Sequence, residues 1–180
     1  MPYEPPPELV ALSLERIAEL VAQRRLPPLD QWAPTATSDS RMRIAADGRW
    51  YHDGGEISRP AMVRAFASLL MRDGDGRHWL VTPQERQSIG VDDAAFMAVD
   101  CKREGDALAF RLNTDDLVIA GPDHPIVARG DADTPALYLG VRHGLEARLN
   151  RGTYVQVIEM ALENGDLAVS SQGARFPLVP

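Results

Sequence analysis

The sequence predicts an α+β fold made of two small domains. A β-β-α-β pattern occurs twice, first through Met42–Thr82 and again through Ala136–Ser171. Between the copies, residues 88–130 alternate apolar and polar side chains, as half-buried strands do. Apolar residues recur at helical intervals in short segments outside that stretch. A repeated unit marks the seam between its copies as the natural place for a binding site.

The first element is an amphipathic helix over Glu8–Arg25. Its apolar face is predicted from helical spacing, at Val10, Leu14, Ile17 and Val21. Pro27-Pro28 ends it, because proline cannot continue a helix. We expect residues 1–26 to form an N-terminal extension outside the repeated core.

The first copy begins with a hairpin hinged at Asp47-Gly48, where glycine supplies positive φ. A helix over residues 59–72 opens at Ser58-Arg59-Pro60, and a strand follows at Trp79–Val81. These elements predict an N-terminal domain over residues 27–85.

The second copy has strands around Gly144 and a helix opening at Asn150-Arg151-Gly152. Aligned by hand, Gly48 falls on Gly144, and the two helix openings coincide. The alternative is that this small topology arose twice independently, since such units recur across folds. The C-terminal domain is predicted over residues 86–180.

Composition limits the function classes. The chain has 180 residues, a net charge of −7 and no apolar run of membrane-spanning length. The acidic charge argues against a nucleic-acid partner. With no secretory signal and with Cys101 as the single cysteine, the sequence predicts a cytoplasmic protein.

The strongest functional signal is an arginine at each helix opening. Ser58 and Asn150 are good N-cap residues, and Arg59 and Arg151 follow them directly. An arginine in the first turn opposes the helix dipole, so a negative group should offset it. A helix start beside an arginine suits a bound anion. The alternative is that each arginine pairs with a nearby carboxylate such as Glu56 or Asp92.

Four more residues are candidate ligand contacts. Trp50 would form a wall and His143 an orienting donor; the alternatives are a core tryptophan and an exposed strand histidine. Glu85 and Asp93 are the other two, although Glu85 is also explained as part of a capping box with Thr82.

The sequence predicts no metal and no cofactor. The four histidines are not at metal-ligand spacing, and no nucleotide-binding or nucleophile-elbow motif is present. The alternative is a metal-assisted enzyme that uses paired carboxylates. Its candidate residues form two acidic pairs, Asp92-Asp93 and Asp115-Asp116.

An ordered run of segments resembles the bacterial DUF1285 family. It comprises Pro27–Trp32, Met42–Trp50, Ile57–Pro60, Leu80–Glu85, Ile89–Phe96, Thr114–Asp116 and Val141–Ala147. The resemblance implies a duplicated α+β core, a C-terminal part superficially like a pleckstrin-homology fold, and a binding site between the two domains. It also implies a role in signalling, without a defined activity. One departure is Ala95, where the family tends to have proline, so the loop that carries Asp93 is less rigid.

These observations predict a non-enzymatic ligand-binding or sensor module with a small, anionic molecule in the inter-domain cleft. The ligand and any protein partner are not identified by the sequence. The alternatives are the metal-assisted enzyme and a module that only binds other proteins.

Overall fold

The computed structural model describes residues 3–180. The α-helices of this part of the chain are α1 (Leu14–Gln23), α2 (Pro60–Ala67) and α3 (Arg151–Glu163). Its strands are β1 (Ala36–Ile44), β2 (Trp50–His52), β3 (Gly55–Ile57), β4 (Leu70–Arg72), β5 (His78–Val81), β6 (Glu85–Val91), β7 (Phe96–Glu104), β8 (Ala107–Leu112), β9 (Leu117–Ile119), β10 (Ile126–Gly130), β11 (Pro135–Gly140), β12 (Glu146–Leu149), β13 (Ala168–Ser171) and β14 (Ala174–Pro177). The α+β class predicted from the sequence is confirmed.

The chain divides into two compact units. The first contains Arg25–Ala95 together with Arg142–Leu145. The second contains residues 3–24, Phe96–Val141 and Glu146–Pro180. The boundary predicted from the sequence falls at the first residue of β6, whereas the first unit continues to Ala95.

The first unit is built on a six-stranded sheet in the order β3-β2-β1-β6-β5-β4. Two three-stranded antiparallel meanders meet at its centre, where β1 and β6 run parallel. On one face Trp50, 1 % exposed, stacks on Phe66 of α2 with ring centroids 6.5 Å apart. On the other face Leu29 packs with Trp79 and Val81.

The second unit has a six-stranded sheet in the order β10-β11-β12-β7-β8-β9. Two meanders again meet at a central parallel pair, here β7 and β12. Phe96 and Phe110 are fully buried in it, as are Val157 and Ala161 of α3. The hairpin of β13 and β14 completes this unit.

The repeated element is this pair of meanders and not the predicted β-β-α-β unit. In each sheet the first strand of the first meander lies parallel to the last strand of the second, so β1–β6 correspond in order to β7–β12. The helices do not follow the repeat, because α2 lies between the meanders and α3 follows both. Aligning Gly48 with Gly144 was therefore wrong: the β1–β2 hairpin corresponds to β7–β8, and the β11–β12 hairpin to β5–β6.

Two predicted helices are shorter than their apolar spacing indicates. Instead of one helix over Glu8–Arg25, a 3-10 turn at Leu9–Ala11 precedes α1, and the predicted face is only partly buried. Ile17 is 0 % exposed, but Val10 is 78 % exposed.

The helix predicted over residues 59–72 ends at Ala67. Leu70 pairs with Leu80 in the sheet, so strand pairing outweighs the local helical spacing. Among the described residues no helix is long and apolar enough to span a membrane.

Candidate functional site

The start of α2 lacks a side-chain cap. Its N-cap residue is Arg59 and not the predicted Ser58, and Pro60 occupies the first turn. A guanidinium carries only hydrogen-bond donors, so Arg59 cannot accept a bond from the first-turn amides as serine would. The first turn also contains no acidic residue. This helix start therefore combines an exposed cation with an uncompensated dipole.

The start of α3 is capped as predicted. The Thr153 amide donates to Asn150 Oδ1 at 2.9 Å. Arg151 is the first helical residue and is exposed, and no acidic residue lies in the first turn. Here too the arginine adds positive charge at the positive end of the dipole.

The carboxylates considered as partners of these arginines are bound elsewhere. Glu56 lies 3.7 Å from Arg49, and the Asp92 carboxylate accepts from Arg43 Nε at 3.0 and 3.1 Å. Within residues 3–180, neither Arg59 nor Arg151 forms a hydrogen bond, ion pair or ring contact through its side chain. The alternative that Arg59 and Arg151 pair with Glu56 or Asp92 is therefore not supported, because both carboxylates are engaged by other arginines.

His143 lies in the Arg142–Leu145 segment of the first unit. Its carbonyl accepts from the Arg72 amide at 2.9 Å, and its Nδ1 lies 3.4 Å from Asp30 Oδ1. The side chain is 19 % exposed. No local sequence pattern links Asp30 to His143, because the two residues lie more than a hundred positions apart in the chain.

Gly144 closes this segment against the end of β4. Its φ is +75°, and a Cβ at this position would lie 2.9 Å from the Arg72 carbonyl oxygen. Both conditions favour glycine, which has no Cβ. The backbone around His143 is therefore fixed to the first unit.

The side chains of Trp50 and Glu85 contact neighbouring parts of the first unit. Trp50 is buried under α2, and its Nε1 has no hydrogen-bond partner among the described residues. Glu85 accepts from Ser38 Oγ and from Gln87 Nε2, each at 3.0 Å. The Thr82 amide donates to the Glu85 carbonyl at 2.9 Å, closing a hairpin turn between β5 and β6. Thr82 Oγ1 accepts from the Glu85 amide at 3.2 Å, as the predicted cap does. Among the described residues the Glu85 side chain does not return to a free amide, the other half of the predicted capping box.

Asp93 is half-buried in the segment between β6 and β7. Like Arg59, Trp50, His143 and Glu85 it belongs to the first unit, whereas Arg151 belongs to the second. Their roles as ligand contacts stay predictions.

The acidic pairs of the metal-assisted alternative are engaged by basic and hydroxyl groups. Asp92 pairs with Arg43, Asp115 accepts from Arg111 Nη2 at 2.6 Å, and Asp116 accepts from Arg24 Nε at 2.7 Å. Over residues 3–180 no group of three or more histidine, cysteine, aspartate or glutamate side chains is placed to hold a metal ion. Three of the four carboxylates, those of Asp92, Asp115 and Asp116, are therefore each engaged by an arginine.

Cys101 is not poised as a nucleophile. Burial, with a smaller contribution from Asp100, raises the pKa of its thiol to about 12. Its Sγ lies 3.7 Å from Gln156 Oε1. The thiol therefore stays protonated at neutral pH.

Family models match both parts of the chain. Residues 27–94 match "Domain of unknown function (DUF1285), N-terminal domain", and residues 95–178 match "Protein of unknown function (DUF1285), C-terminal domain". The chain belongs to the DUF1285 family. The two matches meet where the first structural unit reaches Ala95.

Two solved DUF1285 structures are similar to this chain. One, from Silicibacter pomeroyi DSS-3, is 37% identical with a TM-score of 0.76, and the match covers 94% of this chain and 96% of that chain. The other, from Shewanella baltica OS155, is 25% identical with a TM-score of 0.54, covering 66% and 90%. A search of curated proteins found no match.

Proposed function

We propose that this DUF1285 chain is a non-enzymatic ligand-binding module whose ligand carries a small anionic group, such as a phosphate or carboxylate. Arg59 at the start of α2 is the primary contact, and Arg151 at the start of α3 is a second. The observation that carries the proposal is the pair of helix starts with an exposed arginine, no acidic residue in the first turn and no side-chain partner within the described residues.

An anion would supply what each helix start lacks. It would accept charge-assisted hydrogen bonds from the guanidinium and interact favourably with the helix dipole. Interactions of charges with a helix end contribute about 0.3–1 kcal/mol each at exposed sites. A ligand of useful affinity must therefore gain further contacts beyond the anionic group.

We expect Arg59 to contribute more to anion binding than Arg151, for two reasons. The cap residue of α2 gives the first-turn amides only its backbone carbonyl, which accepts from the Met62 amide, and no side-chain acceptor. At α3, by contrast, the Asn150 side chain already accepts one first-turn amide. In addition, the first unit has ten arginines against ten acidic residues, while the second has nine basic and sixteen acidic residues. The field of the second unit disfavours an anion at long range.

The test is a thermal-shift screen of the purified chain with inorganic phosphate, phosphorylated metabolites, nucleotides, cyclic dinucleotides and carboxylates. A ligand at about 100 times its Kd adds about 2.7 kcal/mol, which raises the Tm by several degrees. We expect Arg59→Met to lose most of the shift and Arg151→Met to lose a part. Arg77→Met is the matched control, because Arg77 is an exposed arginine in a turn away from any helix start.

Two outcomes would contradict the proposal. In one, all three variants keep the wild-type shift, which would make both helix starts irrelevant to binding. In the other, no anion shifts the Tm, which would favour the protein-binding alternative. A rise with Mg²⁺ or Mn²⁺ alone would favour the metal-assisted enzyme.

A role in signalling, a pleckstrin-homology likeness and a cellular location are further proposals for this chain. A sensor in signalling would pass the bound state to a protein partner, as the family resemblance implies. The pleckstrin-homology likeness of the C-terminal part and a cytoplasmic location also stay predictions.

A further inference from the structure

Residues 3–24 belong to the second unit and pack on the rest of it, although the chain that directly follows them builds the first unit. We call these residues the strap. Leu9 and Ile17 of the strap are 0 % exposed and Leu12 is 5 % exposed. They pack against Ala109, and the surrounding apolar contacts come from Leu20, Leu117 and Ile119. The strap thus covers an apolar face of β8 and β9.

Both ends of the strap are bound to one turn. Between β8 and β9, Asp115 Oδ2 accepts from the Tyr3 hydroxyl at 2.6 Å, and Asp116 Oδ1 accepts from Arg24 Nε at 2.7 Å. Asp116 is 4 % exposed and also accepts from Thr114 Oγ1 at 2.8 Å. A buried carboxylate with a charged partner is costly to leave unpaired.

The middle of the strap is held through its backbone. Lys102 Nζ donates to the Leu12 carbonyl at 2.6 Å, and Arg111 Nη1 donates to the Pro7 carbonyl at 2.9 Å. The second unit therefore offers an apolar floor, two backbone-directed cations and two carboxylates. We call this set the strap groove (Lys102, Ala109, Arg111, Asp115–Ile119).

We propose that the strap groove is a binding site for an amphipathic segment, and that a second copy of this chain can supply its own strap in place of the one bound within the molecule. The contacts described above depend on the chemistry of the strap and not on its covalent link to the groove. That link runs only through Arg25 and the first unit. The proposal is independent of anion binding at Arg59 and Arg151.

The strap within the same molecule has an advantage in effective concentration, which reaches the millimolar range for short connections. Exchange between copies is a low-cost route to dimers when an identical element is exchanged. We therefore expect exchange to become visible when the internal strap is weakened and the groove is left intact.

Arg24→Ala and Asp116→Ala are a matched pair in the full-length chain. Both remove the same ion pair, but only Asp116→Ala damages the groove. The probe is a fluorescein-labelled synthetic peptide of residues 1–26, followed by fluorescence anisotropy. We expect Arg24→Ala to bind the peptide at least tenfold more tightly than Asp116→Ala, and the same peptide carrying Ile17→Asp not to bind.

Circular dichroism checks that both variants are folded. If Asp116→Ala is not, Asp115→Asn takes its place against Tyr3→Phe, because these two changes weaken the other end of the strap from opposite sides. Equal peptide binding by the two members of a folded pair would overturn the proposal. So would the absence of binding to the strap-weakened member at peptide concentrations up to the millimolar range.

Discussion

At the scale of single residues, burial decides the chemistry of Cys101. Its thiol has a pKa of about 12, chiefly because burial disfavours the thiolate. At pH 8 a thiol with that pKa is about one part in ten thousand thiolate, against about a quarter for an ordinary cysteine. We expect native Cys101 to resist iodoacetamide at pH 8 and to react within minutes in denaturant. Rapid labelling of the folded chain, followed by mass spectrometry, would show that the thiol is accessible and ionised.

The same scale shows what the sequence could reveal of the candidate site. The arginines at the helix starts and the Asn150 cap were predictable from local spacing, because caps and dipoles act within one turn. That the Arg59 and Arg151 side chains have no partner within residues 3–180 was not predictable, since it depends on Arg49 and Arg43 engaging Glu56 and Asp92. Trp50 illustrates the same limit, because only the packing of α2 places it under Phe66.

At the scale of elements, the Arg142–Leu145 segment depends on the glycine at position 144. Two effects constrain this position, the positive φ and the close approach of another backbone atom, and a comparison of three glycines distinguishes them. Gly74 has neither positive φ nor a close neighbour, Gly54 has φ +81° in open space, and Gly144 has both φ +75° and the Arg72 carbonyl at 2.9 Å.

Alanine substitutions at these positions should rank accordingly. We expect Gly74→Ala to be nearly neutral, Gly54→Ala to cost about 1–2 kcal/mol for the left-handed backbone, and Gly144→Ala to cost more through the added clash. Urea denaturation of the three variants measures the order. If Gly144→Ala were no worse than Gly54→Ala, the close approach to Arg72 would not be rigid.

Elements with local signals were predictable, and those set by distant pairing were not. The Asp47-Gly48 hairpin is confirmed, with Ile44 opposite Trp50, because turn chemistry fixes its register. Leu70 stands at a helical interval from Phe66 in the sequence, but the pairing of β4 with β5 places it in a strand. The parallel pairs β1–β6 and β7–β12 join strands far apart in sequence, so no local pattern identifies them or the true repeat.

At the scale of the whole molecule, aspartate side chains in both units accept hydrogen bonds that stabilise turns and the ends of elements. Hydrogen bonds lower the pKa of four aspartates, and each bond anchors a turn or an element end. In order along the chain they are Asp73 with Trp79, Asp92 with Arg43, Asp131 with Thr134 and Asp166 with Arg175. They are distributed over both units, so no single segment controls the acid response.

The direction of the pH dependence follows from these shifts. Aspartates with lowered pKa stabilise the folded state fully above the unfolded value of about 3.9, and this stabilisation is lost as the pH falls through the folded values. Cys101 affects stability in the alkaline pH range instead. Its pKa is raised, so stability is retained below the unfolded thiol value of about 8.5 and falls as the pH rises toward 12.

We expect the free energy of unfolding to be highest and nearly constant between about pH 5 and 8. Urea denaturation across that range and at pH 3.5 and 10 measures it, with Cys101→Ala as the alkaline control. A decline above pH 9 that persists unchanged in Cys101→Ala would assign the alkaline effect to another group.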